Sequence, residues 1–459
     1  MKRFSMLAVL LFCGTAALFA GGGQSGRSAA PAAPAATGVV GNTLKYDLAA
    51  PVNGGRNITI EFWVNNGLLP VWQQLADDYM KVHPNVRINV TPFGNDLLEK
   101  IAPALQTGTG PDITFYHNEW DGTVLPFASP YPEDVLPLSA IKADFNMIDA
   151  HIQADGKLYY FDMGIMTSGI FYNKKMWREA GLTEADIPAS WEQLIQVAKK
   201  LTKYDNAGNI TREGLSINAM QEFILQALSY QDGQFLFTAG NKPVVDSPVW
   251  RANLKFIQDL YNVHKVSSTR FPDGNEAFVN EQGAMSYIWG WAGTWLSNYP
   301  NMEWGFFNLP TKTGRTPPAY DRNNGESTPA VTATRVDAKA VGFDILKFFL
   351  AHDKYLTGMA VLDGIVPVKK NLLSDPAIRN DVVLSTQTKM SDRTIWPGPL
   401  PSEYHTNIKT FAIQEVLLNG GSIDAALTNT QRVMDRDFGQ AFRNLSFQER
   451  FYGYSGELK

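Results

Sequence analysis

Cysteine is almost missing: the 459 residues contain one, Cys13, inside the N-terminal apolar stretch. A body without further thiols forms no internal disulfide and no thiolate metal site, so its stability rests on buried apolar surface. Histidine is scarce as well. The six, at 83, 117, 151, 264, 352 and 405, show no HExxH or other ligand spacing, and there is neither a GxSxG elbow nor a phosphate-cradling loop. The run DNAGNI at 205–210 opens like a calcium loop, but Ala207 takes the third ligand position and Ser216 the place of the bidentate Glu. It reads as a hairpin turn. No cofactor and no metal are expected. Past residue 20, no apolar run approaches the roughly 20 residues that a membrane helix needs. Positive charge is in deficit: the net formal charge is −5, and residues 1–40 hold Lys2, Arg3 and Arg27 with no acid, so the remainder is more acidic still. Such a surface argues against nucleic acid as a partner.

What is present is apolar and aromatic. With 44% hydrophobic and 19% charged residues the chain can bury two cores. Its start has cations at Lys2 and Arg3, an apolar run over 4–19 and small residues around Ala20, the layout of a secretory signal peptide over 1–20. Cleavage after Ala20 is favoured over lipidation of Cys13, because the apolar stretch ahead of Cys13 is short. Residues 21–42 read as a flexible linker, Gly, Ser, Ala and Pro-rich to about residue 40 and unable to bury enough apolar surface to join the fold.

Periodicity then gives β-α units. NITIEFWV (57–64) alternates as a strand, Val71, Leu75, Tyr79 and Val82 share a helical face, HPNVRINVTPF gives a second strand, 97–105 a second helix and PDITFYHNEW a third strand. Such alternation implies a mostly parallel sheet with its ligand crevice at the strand carboxyl ends, just after Val64 and Phe115. Later helices are expected from Ser247-Pro248 onward and near 336–350, 354–361, 402–418 and 422–435.

The most informative stretch is 156–201, GKLYYFDMGIMTSGIFYNKKMWREAGLTEADIPASWEQLIQVAKKL. It reads as a strand pair, the turn YNKKMW, a short helix ending at Gly181, and a second helix capped by Ser190 with Gln193 three residues on. The same string resembles the segment G-x-x-Y … YNKxxxxxAGL … P-x-(S/T)W-x-x-L … A-x-x-L of the family 1 extracellular solute-binding proteins, the sugar-capturing subunits of ABC importers. The resemblance runs over roughly 57–435. It implies an α/β, two-lobed periplasmic-binding-protein fold (type II), each lobe a mixed sheet flanked by helices, joined by a hinge. The lobes would be discontinuous, 43–163 plus 311–362 and 168–307 plus 366–459. It further implies an exported, periplasmic monomer that binds a mono- or oligosaccharide and meets ABC permease subunits.

Sugars present hydroxyls at their edges and apolar C–H patches on their faces, so a sugar site needs flat aromatics beside carboxylates and amides. By position, Tyr116, His117, Asn118, Glu119 and Trp120 are either a surface turn or a crevice cluster. Similarity to the GPDI-x-F stretch of maltose-binding proteins implies that Tyr116, Glu119 and Trp120, with Asn118 in the same turn, face the ligand. The family more often has Asp at the acidic position. Within AMSYIWGWAGTW, Trp289 and Trp291 are candidate platforms, Trp291 aligning best; Gly290 and Gly293 suggest a close-approach turn rather than a packed helix. Trp396, in a Pro-rich loop, is either a platform or a core plug, and Tyr404 follows it. Asn65 and Asn66 end the first strand and could bind a polyol or form a turn with Gly67. Gln221 and Glu222 correspond to polar contacts in the family.

The expectation is a non-catalytic sugar receptor. A secreted glycoside hydrolase would share the aromatics but needs two carboxyl groups flanking one bond, and only Glu119 stands out as a crevice acid. The same fold could also hold a polyamine, peptide or phosphodiester, although neither several crevice acids nor a basic pocket is evident in the sequence.

Overall fold

A computed structural model describes residues 38–94, 96–237, 242–322, 325–398, 400, 402–438, 452–453 and 456–457. The expected signal peptide, Cys13 and the linker as far as residue 37 lie outside the described residues. The linker's end does not follow expectation. Val39–Val40 pairs antiparallel with Tyr46–Asp47, because the Asp144 carboxylate takes the backbone N–H groups of Thr43 (3.0 Å) and Leu44 (2.7 Å), so that Leu44 and Tyr46 are buried.

Two sheets carry the fold. The first has the order Glu326–Val331, Ile113–His117, Ile58–Asn65, Val86–Phe93. Its last three strands are parallel, as the β-α alternation predicts, with helices Leu69–Val82 and Leu97–Gln106 between them. The fourth arrives from two hundred residues downstream and runs antiparallel, placing Glu326 opposite His117. That leaves the carboxyl ends of Ile58–Asn65 and Ile113–His117 and the amino end of Glu326–Val331 on one edge.

The second sheet has the order Met285–Trp289, Ser168–Asn173, Trp304–Asn308, all antiparallel. Isolated parallel bridges from Glu213 to Gly283 and from Ser216 to Ser286 make it mixed. Ser168–Asn173 is buried at all six positions, as a central strand covered on both faces must be. The two strands read from 156–173 do not pair with each other: Gly164–Ile165 pairs with Val366–Pro367, while Ser168–Asn173 has both edges occupied by other strands. Local capping follows expectation. Ser190 and Gln193 form the capping box of Trp191–Leu201, Ser247 caps Pro248–Asn262, and the residues at 203–212 form a hairpin.

The chain passes between the sheets three times, and the passages lie against each other. Asp162 bridges to Ser327, whose Oγ donates to its carboxylate at 2.7 Å. Gly164–Ile165 pairs with Val366–Pro367. Gly325 packs so closely that a Cβ there would overlap the Gly164 carbonyl oxygen. Among the described residues no helix is long and apolar enough to cross a membrane.

Candidate functional site

At the edge of the first sheet, strand Ile113–His117 runs into the turn Asn118–Trp120. Glu119 and Trp120 are half-buried there, and the Trp120 ring lies 5.5 Å from Phe115. Tyr116 departs from expectation. It is fully buried, its hydroxyl donates to Asp121, and Tyr160 donates to the other oxygen of that carboxylate at 3.0 Å. Strand alternation turns Tyr116 inward, so it braces the turn instead of offering a platform. Burial raises the Asp121 carboxyl to about 7 and holds both phenols far above their ordinary value. The Asn118 side chain lies outside the described residues. Asn65 takes the turn alternative: its Oδ1 accepts from the Gly67 N–H at 2.6 Å, and Asn66 is exposed beside it.

From the second sheet, Met285–Trp289 delivers a half-buried Trp289, 5.2 Å from Phe223 in an edge-on contact. Trp291, also half-buried, stands edge-on to Trp295 at 6.1 Å. The glycines between them do mark close approach: a Cβ on Gly290 would lie 2.7 Å from the Gly364 carbonyl oxygen, and one on Gly364 2.5 Å from that of Gly290. This turn is thereby locked to the third passage, right after Asp363. Trp396 is buried, with its ring 4.6 Å from His151, and so fills space as a plug. Tyr404 is an interior residue between Phe237 and Phe438. Gln221 is likewise engaged inward, its amide donating to Tyr261 at 3.0 Å and to Asn218 at 3.3 Å. In these two positions packing around helix Gln221–Gln231 and the 402–408 helix decides orientation, which sequence spacing does not report.

The residue that sequence reasoning missed is Arg322, in the second passage. It is buried, its guanidinium lies 4.8 Å from the Phe223 ring centre and 5.2 Å from that of Trp289, and Nη1 reaches His405 Nε2 at 2.6 Å. Burial, then the nearby guanidinium, holds His405 well below its ordinary value, so it is a neutral acceptor. Burial lowers the Arg322 guanidinium from its ordinary value, and the nearby Glu119 and Asp321 carboxyls act against that. Glu119 stands in the turn that follows a strand of the first sheet, and Trp289 ends a strand of the second, so groups from both sides act on this one side chain. Arg322 carried no local signal: a lone arginine in YDRNNGE has no motif.

Acids accumulate at the passages too. Asp162, Glu326 and Asp363 stand one on each, and Glu119 is close by. Burial raises Glu326 far above its ordinary value, with Asp363, Asp162 and Glu119 adding repulsion in that order; Asp363 is raised by burial to about 7. Glu326 Oε2 and Asp363 Oδ2 are enclosed with no hydrogen-bond partner among the described residues. Several acids therefore gather at the passages, which the sequence did not reveal. No set of three His, Cys, Asp or Glu among the described residues could hold a metal ion. An apolar groove of about 660 Å³ bordered by Tyr131, Leu136 and Phe343 shares no residue with this cluster.

Comparison with known proteins places this arrangement. The family model "Bacterial extracellular solute-binding protein" matches residues 66–355. A maltotriose-binding protein of Pyrococcus abyssi is 23% identical over 320 residues, covering 69% of this chain and 67% of its own length. The diacetylchitobiose-binding protein of Streptomyces coelicolor is 25% identical over 342 residues, 71% of this chain and 77% of its own. Among solved structures, the cyclic α-maltosyl-1,6-maltose-binding protein of Arthrobacter globiformis superposes with a TM-score of 0.69 at 19% identity, covering 84% of this chain and 100% of that one. The maltose/maltodextrin-binding domain of Bdellovibrio bacteriovorus, bound to maltotriose, gives 0.67 at 18% identity, with 83% and 100% covered. The fold is the two-lobed periplasmic-binding fold of type II, one sheet to each lobe, and the chain belongs to the bacterial extracellular solute-binding protein family.

Proposed function

We propose that the protein is an exported receptor that captures a mono- or oligosaccharide between its lobes and presents it to the permease subunits of an ABC importer. The lobes are 43–163 with 311–362, and 168–307 with 366–459. The observation that carries this reading is the buried Arg322 guanidinium 5.2 Å from the Trp289 ring of the second sheet, with the carboxylate of Glu119 at the edge of the first sheet acting on its charge, a carboxylate and an indole being the two kinds of surface a sugar requires. The relatives whose names state a ligand bind oligosaccharides, which supports the same class. Trp291 and Trp120 serve as further apolar faces, and Glu222, Glu326 and Asp363 as acceptors for hydroxyls.

A ligand touching both lobes binds the closed form better than the open one, and that difference in affinity alone shifts the population a transporter meets. A Kd near micromolar, about −8 kcal/mol, suffices for such capture. The protein acts without chemistry on the sugar. The acid pair Glu326–Asp363 is what keeps glycoside hydrolysis as the second reading, since hydrolysis needs two carboxyl groups about one bond. A thermal-shift screen of mono- and oligosaccharides, followed by tryptophan fluorescence titration, tests both. Saturable one-to-one binding with intact sugar supports the receptor; release of shorter products replaces it with the hydrolase.

A further inference from the structure

The stretch 282–302 contains no Asp, Glu, Lys or Arg, and Trp289, Trp291, Trp295 and Tyr299 all fall within it. The acid that ends it, Glu303, is paired with Arg178 at 2.9 Å. After the Gly290 turn the chain leaves the second sheet through the short helical segments Ala292–Trp295 and Leu296–Asn298. Their winding brings three rings into a row: Trp291 and Trp295 lie 6.1 Å apart at 71°, and Trp295 and Tyr299 5.3 Å apart at 66°. Edge-on contacts of this kind cover less ring face than stacking does. Burial falls along the row, from half-buried Trp291 and Trp295 to Tyr299, which is 37% exposed, with Ser297, Asn298 and Asn301 exposed around it. Both indoles rest against the buried cluster that holds Phe171, Leu296 and Phe306, so the row is fixed to the second sheet.

We propose that Trp295 and Tyr299 form an exterior saccharide surface, continuing outward from Trp291, for the units of a long neutral glycan that lie beyond the cleft. This rests on the sugar reading above and adds a site outside the cleft to it. A fixed row of rings facing water marks a place where a partner sits. A charged partner finds no counter-charge along 282–302. A glycan does find a match, because it alternates C–H faces with hydroxyl edges. The rings meet the faces, and the hydroxyl and amides of Ser297, Asn298 and Asn301 meet the edges. Asn298 is already oriented, its Nδ2 donating to the Trp295 carbonyl oxygen at 2.9 Å. The surface is also continuous with Trp291, the apolar face assigned to the ligand above.

Titration calorimetry on the full chain, with maltotriose against maltoheptaose and diacetylchitobiose against chitohexaose, tests this. In whichever series binds, wild type is expected to hold the longer member at least about fivefold tighter than the shorter. Trp295→Ala and Tyr299→Ala should each cut that gain below about twofold while the shorter member keeps its Kd. Tyr299→Phe keeps the ring and should keep most of the gain. Should Trp295→Ala not fold, Tyr299→Ala at the exposed end carries the test alone. Equal affinity for long and short members in wild type, a gain that survives in the alanine variants, or a loss that falls equally on both members overturns the exterior surface and leaves the sugar receptor standing. Light scattering addresses the rival occupant: a dimer that Tyr299→Ala dissolves assigns the row to a second copy of this chain and overturns the surface as well. Binding of neither series overturns both readings.

Discussion

The two sheets solve different problems. In the first, parallel strands bring several chain ends to one edge, and what stands there is polar: Glu119 after Ile113–His117 and Glu326 at the start of Glu326–Val331. In the second, antiparallel strands return quickly on themselves, and the carboxyl end of Met285–Trp289 carries half-buried indoles, Trp289 and Trp291. Acids dominate the first edge, with Trp120 as its indole, and indoles dominate the second, with Glu222 on helix Gln221–Gln231 as its acid. On the proposed function, a solute spanning both would favour closure.

Breaking the junction between the halves should have the largest effect. Gly364 has φ +64° and sits against the Gly290 carbonyl. Gly364→Val demands a left-handed conformation that a branched residue resists and overlaps that carbonyl, so a loss of about 3 kcal/mol or more is expected, read as a lower midpoint in urea unfolding. Next comes the aromatic half. Trp289→Ala or Trp291→Ala should weaken saccharide binding at least about tenfold while thermal unfolding stays cooperative; unchanged calorimetric affinity in both variants would remove the platforms from the second sheet.

The acidic half should respond more gently. Glu119→Gln keeps the shape and exchanges charged for neutral hydrogen bonds, a difference of about 1 kcal/mol and hence about fivefold in Kd. Asp363→Asn sharpens the same half through pH. Its carboxyl rises from 3.8 to about 7 in the folded protein, so the native state holds the proton longer. The stability this group contributes is complete below about pH 4 and is lost as pH climbs to about 7. Tm of wild type should therefore fall across that window more steeply than Tm of Asp363→Asn, the two agreeing at pH 4 and the variant standing a few degrees higher at pH 8. Parallel curves would mean that Asp363 ionises in the fold as freely as in the unfolded chain. The smallest effect lies outside the comparison: Ser190→Ala removes a cap worth about 1 kcal/mol and should leave ligand affinity alone.

Elements whose cause is local were legible. Ser190 with Gln193, Ser247 ahead of Pro248, and the hairpin around residues 205–210 depend on neighbours within a few residues. The Gly290 turn was legible as close approach, though not what it approaches. Tyr116, Gln221 and Tyr404 were misjudged because residue type and proximity to a strand end do not say which way a side chain turns, and Asp121, Tyr261 and Phe237 claim them from other elements. The pairing of Gly164–Ile165 with Val366–Pro367 joins residues two hundred positions apart and leaves no periodic trace.

By itself the sequence determined an α/β chain without disulfides, metal motifs or long apolar spans past its start, built from capped amphipathic helices and alternating strands, since these follow from composition and short-range chemistry. Only the tertiary structure decided that Arg322, Glu326 and Asp363 stand at the passages between the sheets. Three segments distant in sequence are packed side by side there, and it is this packing that sets which polar atoms lose water and which of them keep no hydrogen-bond partner among the described residues.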